Sequence, residues 1–180
     1  MKTHSTIASV LLYVFICFAA SSCDEVDKLT EFDVNDTITT TINVSVPDNQ
    51  GNPITLDDTT EIDLSSIDEI QDNMDLIQSV RVTSISYEIT NFDGAAEATI
   101  SNASMAFGTT NISVSDINLQ EADNNNTVFT ITDTGDLNAI SNALESNSSI
   151  NLVLTGTINS TPLTFDVIVR VDVTVVVDVI

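Results

Sequence analysis

From Leu163 to Val179 the chain sets Leu163, Phe165, Val167, Val169, Val171, Val173, Val175, Val177 and Val179 on alternate positions, with Asp166, Arg170, Asp172, Thr174 and Asp178 between them. A period of two is what a strand imposes on side chains, and a helix cannot use it. Some fifteen residues at about 3.3 Å each make roughly 50 Å of strand, against a usual five or six residues. Left at the edge of a sheet, such a strand recruits other chains, although Asp166, Asp172 and Asp178 on the polar parity discourage that pairing. Its apolar row needs a second layer to cover it, and its ladder needs neighbours.

The rest of the chain supplies them. Phe32, Val34, Ile38, Ile42, Val44 and Val46 follow the same parity with Asp, Asn, Thr and Ser between, and Pro47–Pro53 ends the run as a turn. Val80–Thr90, Ala98–Phe107, Ile112–Leu119, Val128–Thr132 and Ile150–Ile158 are further β-branched segments, separated by Asn, Asp and Gly clusters. Parity slips between Val82 and Ile85, between Ile100 and Met105, and between Val114 and Ile117; a bulge produces such a slip and bends the strand. Bent strands turning corners between packed sheets predict an all-β, antiparallel β-sandwich, Ig-like or similar, of about 7–9 strands.

Two short helices are expected within it. Ser66 and Glu69 have capping-box spacing ahead of Ile67, Ile70 and Met74. Asp136 is placed to cap a second helix carrying Leu137, Ile140 and Leu144 on one face. Both are expected to plug the open ends of the sandwich. A helix followed by a terminal hairpin resembles the sandwich of late-embryogenesis-abundant type 2 proteins.

The N-terminal segment has a different character. Lys2 and His4 precede an apolar stretch from Ile7 to Phe18 and small residues from Ala19 to Ser22, the layout of a secretory signal and too short for a membrane helix of about 20 residues. Ala20-Ser21-Ser22-Cys23 resembles the relaxed lipobox of Bacteroidota lipoproteins, which implies cleavage before Cys23 and acylation of its sulfur and new amino terminus. Asp24, Glu25 and Asp27 resemble the acidic export signal of surface lipoproteins in that group; Asp after the cysteine also resembles the inner-membrane retention signal of enterobacteria. The division read from the sequence is therefore a signal peptide at 1–22, an acidic tether at 23–31 and the sandwich at 32–180. An ordinary cleavage that leaves Cys23 as a thiol is the competing reading.

Charge and composition exclude several functions. With a formal net charge of −23 and four Lys and Arg in all, the chain has no cationic patch for phosphates or anionic headgroups, so nucleic acid is not a partner. His4 is the only histidine and lies in the signal segment, which removes the commonest general base, a Ser-His-Asp triad and zinc sites of the Cys and His kinds. Phe129–Gly135 resembles the apolar-Asp-Thr-Gly loop of aspartic proteases, but that chemistry needs two carboxylates sharing a proton and the motif occurs once; the turn reading, with Gly at the tight position, is retained. Asp123–Asn126 and Asp93-Gly94 carry oxygen ligands of the kind calcium takes, without the ordered spacing of an EF-hand. Trp is absent, and Tyr87 is left to supply a stacking surface. Asp36-Thr37-Ile38 and Asp58-Thr59-Thr60 resemble the O-glycosylation acceptor of Bacteroidota, with Thr37 and Thr59 as acceptors.

The reading that results is a non-enzymatic, lipid-anchored sandwich of the bacterial outer membrane, facing the cell surface, with the periplasmic face or the inner membrane as other placements. It needs no cofactor, meets the membrane through acyl chains, and acts with a protein partner as a binding or assembly subunit. The alternative is an adhesin or pilus-type subunit that polymerises by lending a strand.

Overall fold

In the computed structural model, which describes residues 31–50 and 52–178, the alternating rows become nine antiparallel strands. They are β1 (Glu31–Val46), β2 (Ile54–Asp63), β3 (Ile77–Asp93), β4 (Thr99–Phe107), β5 (Thr110–Val114), β6 (Ile117–Asn118), β7 (Val128–Ile131), β8 (Ser149–Ile158) and β9 (Leu163–Asp178). One sheet has the order β1-β9-β3-β7; the other has β2-β8-β4-β5, with β6 also paired to β4.

The pairing is nested: β1 with β9, β2 with β8, β3 with β7, and β4 with β5 and β6. The chain therefore runs as one long antiparallel hairpin, folded over so that successive pairs fall in opposite sheets. Cross-pairs β3–β9 and β4–β8 then zip each sheet together. With β5 and β6 sharing one position beside β4, this is the eight-position jelly roll, a double-sheet sandwich.

The expected core row faces the other sheet. Every odd-numbered residue of β9 from Leu163 to Val177 is buried, between Val34, Ile38, Ile42, Val44 and Val46 of β1 and the inward side chains of β3. Phe32 has the same parity but remains 39% exposed, so the row outruns the cover of the opposite sheet at this end. The polar parity forms side-chain bridges across three strands. Asp166 accepts from the Asn43 and Asn91 amides at 2.7 and 2.8 Å, and Asp172 accepts from the Thr37 and Ser84 hydroxyls. Arg170 meets Glu88 at 2.6 Å.

Two expected parity slips are bulges: the β3–β9 register shifts between Val82 and Ser84, and the β4–β8 register between Ser101 and Ser104. Gly156 lies opposite the second one. A Cβ there would approach the Ile100 side chain to 2.8 Å, so only glycine lets the bulged strand sit this close. The third slip is an interruption of the strand instead, since β5 stops at Val114 and β6 restarts at Ile117. The expected strand over Ile112–Leu119 also ends early, because Asn118 Oδ1 accepts from the Glu121 amide and caps a helix, α2 (Leu119–Asn124).

The first expected helix is fragmented into a 3-10 turn at Leu64–Ser66, a single turn α1 (Asp68–Gln71) and a 3-10 turn at Met74–Leu76. Its capping box does not form. Asp63 Oδ1 accepts from the Ser65 amide, and the Ser66 hydroxyl donates to the Asp63 carbonyl. The segment still plugs one end, burying Leu64, Ile67 and Ile70 as the chain crosses between sheets. The other helix, α3 (Thr134–Asn147), is capped by Asp133 rather than Asp136: Asp133 Oδ1 accepts from the amides of Gly135 and Asp136 at 2.8 and 3.0 Å. It buries Leu137, Ile140 and Leu144 as expected, but it lies along the flank of β3 rather than across an end. The expected terminal hairpin is absent too, because β8 and β9 lie in opposite sheets.

Candidate functional site

The flank of β3 shows how this chain treats a sheet edge. β7 pairs with β3 only from Ile85 to Glu88. Toward one end, α3 takes over: Ser141 Oγ accepts from the Val82 amide at 2.8 Å and Glu145 Oε2 from the Val80 amide at 3.2 Å. Toward the other end, Asp123 of α2 accepts from the Phe92 amide at 3.4 Å. Side chains thus satisfy the backbone donors that a longer β7 would have met.

Among the described residues the far edge of β7 has no paired strand. β7 ends one sheet and β5 ends the other, so the mouth of the sandwich opens between them. Its floor is an aromatic pair, Tyr87 of β3 and Phe129 of β7, stacked with ring centroids 5.0 Å apart and planes inclined by 13°. On one side of Phe129 lies a cleft of about 310 Å³, walled by Ile112, Ser113, Val114 and Ser115 against Thr130, Ile131, Thr132, Asp133 and Asp136. On its other side lies a second hollow of about 200 Å³, lined by Asp116, Ile117, Asn118, Glu121, Ala122, Asn125 and Thr127. Phe129 borders both, and the pair of hollows flanking it, called the groove, has carboxylates in both linings. Burial pushes the Tyr87 hydroxyl above its usual range and keeps it neutral at physiological pH.

The residues named from sequence fare differently. Cys23, Asp24, Glu25 and Asp27, with the whole 1–22 signal segment, lie outside the described residues. Thr37 is exposed in mid-β1, with its hydroxyl given to Asp172 Oδ1 at 2.6 Å. Thr59 is exposed on β2; beside it, burial first and the neighbouring Asp57 charge second raise the Asp58 carboxyl above the usual carboxylate range. Asp133 is committed to helix capping, as an ordinary strand-to-helix turn requires. Of the two calcium candidates, Asp123 reaches only the amide of Phe92, the residue before Asp93. Gly94 is there for close approach, since a Cβ would come within 2.8 Å of Leu163 Cβ. Among the described residues no group of three His, Cys, Asp or Glu is placed to hold a metal ion. The groove itself was not legible in the sequence beyond Tyr87, because it is made by two strand ends brought together from opposite sheets.

The sequence matches no protein-family profile and no curated protein. Among solved structures it is similar to a decameric BFDV capsid protein at 9% identity, covering 81% of this chain and 98% of that one with a TM-score of 0.46. Desmodium yellow mottle tymovirus gives 8% identity over 82% of this chain and 84% of that chain, TM-score 0.33. Turnip yellow mosaic virus gives 12% identity over 82% and 96%, TM-score 0.29. The jelly-roll assignment rests on the strand pairing described above, not on these likenesses.

Proposed function

We propose that this chain is a lipid-anchored, non-enzymatic binding subunit of a bacterial cell envelope, held at the outer membrane through Cys23 and presenting its sandwich to a protein partner. The observation that carries the binding reading over the strand-donating one is the place of β9. It pairs with β1 from Leu163 to Asp178 and with β3 from Thr164 to Val177, so the strand best suited to be lent is the central strand of its own sheet.

The layout suits an anchored binder. Seven residues lie between Cys23 and the start of β1 at Glu31, a reach of at most about 30 Å. Glu31 pairs with Asp178, whereas Glu88, beside β7, lies opposite Ile168 and Asp93 opposite Thr164. The α2 end of the groove is therefore on the half of the sandwich away from the anchor.

The test is the intact mass of the mature protein, with acyl chains expected on an N-terminal Cys23, together with membrane fractionation of Cys23→Ser, expected in the soluble fraction. Replacing Asp24, Glu25 and Asp27 by Asn is expected to reduce cleavage by protease added to whole cells at unchanged total protein. An unmodified terminus at another residue overturns the anchor.

A further inference from the structure

We propose that the groove beside β7 takes an extended segment of a partner chain, an apolar or aromatic side chain flanked on both sides by Lys or Arg, which adds to the open edge of β7 as a further strand. This rests on the binding-subunit reading and gives the partner its chemistry.

Three independent observations converge on that edge. First, β3 is covered along its flank by Ser141, Glu145 and Asp123, while β7 ends its sheet with no strand paired to its outer edge among the described residues. An open ladder edge is the surface on which extended peptides dock, with backbone bonds giving affinity and alternate side chains giving selectivity. Second, among the described residues the exposed large hydrophobic side chains are Phe32 and Val128, and Val128 lies on β7 at 55% exposure. An added strand alternates faces as β7 does: one set of its side chains covers Val128, and the other reaches Phe129 and Tyr87. The cleft beside them, about 310 Å³, is at the low end of the roughly 300–1,000 Å³ of small-molecule pockets, a size for one large side chain of a peptide.

Third, the charge selects the occupant. Asp116 and Glu121 line the hollow on one side of Phe129 and Asp133 and Asp136 the hollow on the other, and neither Arg81 nor Arg170 lines them. Cations at both ends of the docked segment complete that field. A second copy of this chain is the wrong partner, since each copy brings a formal charge of −23.

The experiment titrates the full chain, in a non-ionic detergent, against a fluorescein-labelled heptapeptide of sequence Lys-Thr-Val-Phe-Val-Thr-Lys, and against the same peptide with Glu in both Lys positions. Saturable binding of the Lys peptide is expected, roughly tenfold or more tighter than the Glu peptide, two charge contacts being enough for that ratio. Val128→Lys is expected to abolish it, and Asp116→Lys combined with Asp136→Lys to weaken it about tenfold, each with an unchanged cooperative melt because the altered side chains are not core. Equal affinity for both peptides, binding insensitive to these variants, or no binding to the folded chain overturns the proposal. So does concentration-dependent dimerisation lost in Val128→Lys, which would make a second copy the occupant. Because anchoring is read separately from the mass of Cys23, failure of the peptide leaves that result standing.

Discussion

β9 and β7 belong to the same sheet and do opposite things. β9 has sixteen residues, neighbours on both sides and an inward row that is buried throughout; β7 has four residues, one neighbour, and an exposed valine at its start. Where the ladder is long and doubly paired, side chains cross-link it further, as Asp166 and Asp172 do between β1 and β3. Where it is short, the chain substitutes helices for strand along β3 and then stops, leaving the far side of β7 open. The buried ladder is concentrated in the first region, and the edge proposed for binding lies in the second.

The largest effect that separates them comes from truncation. Removing the chain from Val173 onward takes away Val173, Val175 and Val177 and the partners of β1 from Asp36 back to Glu31. Three buried valines at about 1.5–3 kcal/mol each, with the lost ladder, are comparable with a whole stability of about 5–15 kcal/mol. Loss of the cooperative thermal transition is expected, and a truncated chain that melts as the intact one does would deny β9 its central role.

Next in size is the helical cover of β3. Ser141 is buried, accepts from the Val82 amide and donates to the Leu137 carbonyl at 2.7 Å. Ser141→Ala leaves that amide buried and unpaired, a cost of about 1–3 kcal/mol by urea denaturation. A loss below the error of the measurement would mean that α3 does not stand in for strand.

Acid probes the cross-links of β9. Hydrogen bonds from Asn43 and then Asn91 hold Asp166 below the usual carboxylate range, and those from Ser84 and then Thr37 do the same for Asp172. A folded-state pKa depressed in this way contributes stability that is present above the unfolded value and is lost as pH falls through the folded one. The double variant Asp166→Asn, Asp172→Asn is therefore expected to be less stable than the native chain above the ordinary carboxylate range, the gap closing as pH falls below that range through the depressed folded values. Asp58 acts with the opposite sign: its raised pKa favours the protonated folded form, and that contribution is lost as pH rises through it. Asp58→Asn should raise stability at neutral pH and steepen the acid loss. A gap for the double variant that does not vary with pH would remove the carboxylates from the account.

The smallest effect is at β7 itself. Val128→Thr should change stability by no more than about 0.5 kcal/mol, as surface substitutions do, while weakening the Lys peptide. A destabilisation of several times that size would make Val128 part of the core rather than of a docking edge.

The long rows were legible because one face of each is buried over most of its length, which fixes parity. β2 was not, since its inward parity carries Asp58 and Thr60 between Leu56 and Ile62. Those polar residues sit where β2 meets β1 at the corner of the sandwich, Thr60 Oγ1 lying 3.0 Å from Thr40 Oγ1. α2 carried a local signal, Asn118 three residues before Glu121, hidden at the end of a run that read as strand. Asp133 and Asp136 stand in the same turn, and sequence could not say which would turn its carboxylate back to the amides. The groove joins residues from β3, β5 and β7, and no local pattern specifies that meeting.

Native-state amide hydrogen exchange of residues 165–177, followed at several protein concentrations, tests most directly the claim that the chain completes its own sandwich. Protection equal to the global unfolding free energy, the same at every concentration, is the result predicted. Rapid exchange in dilute protein that slows only as the chain associates would show that β9 is a strand for another molecule, and would put the strand-lending subunit ahead of the binding one.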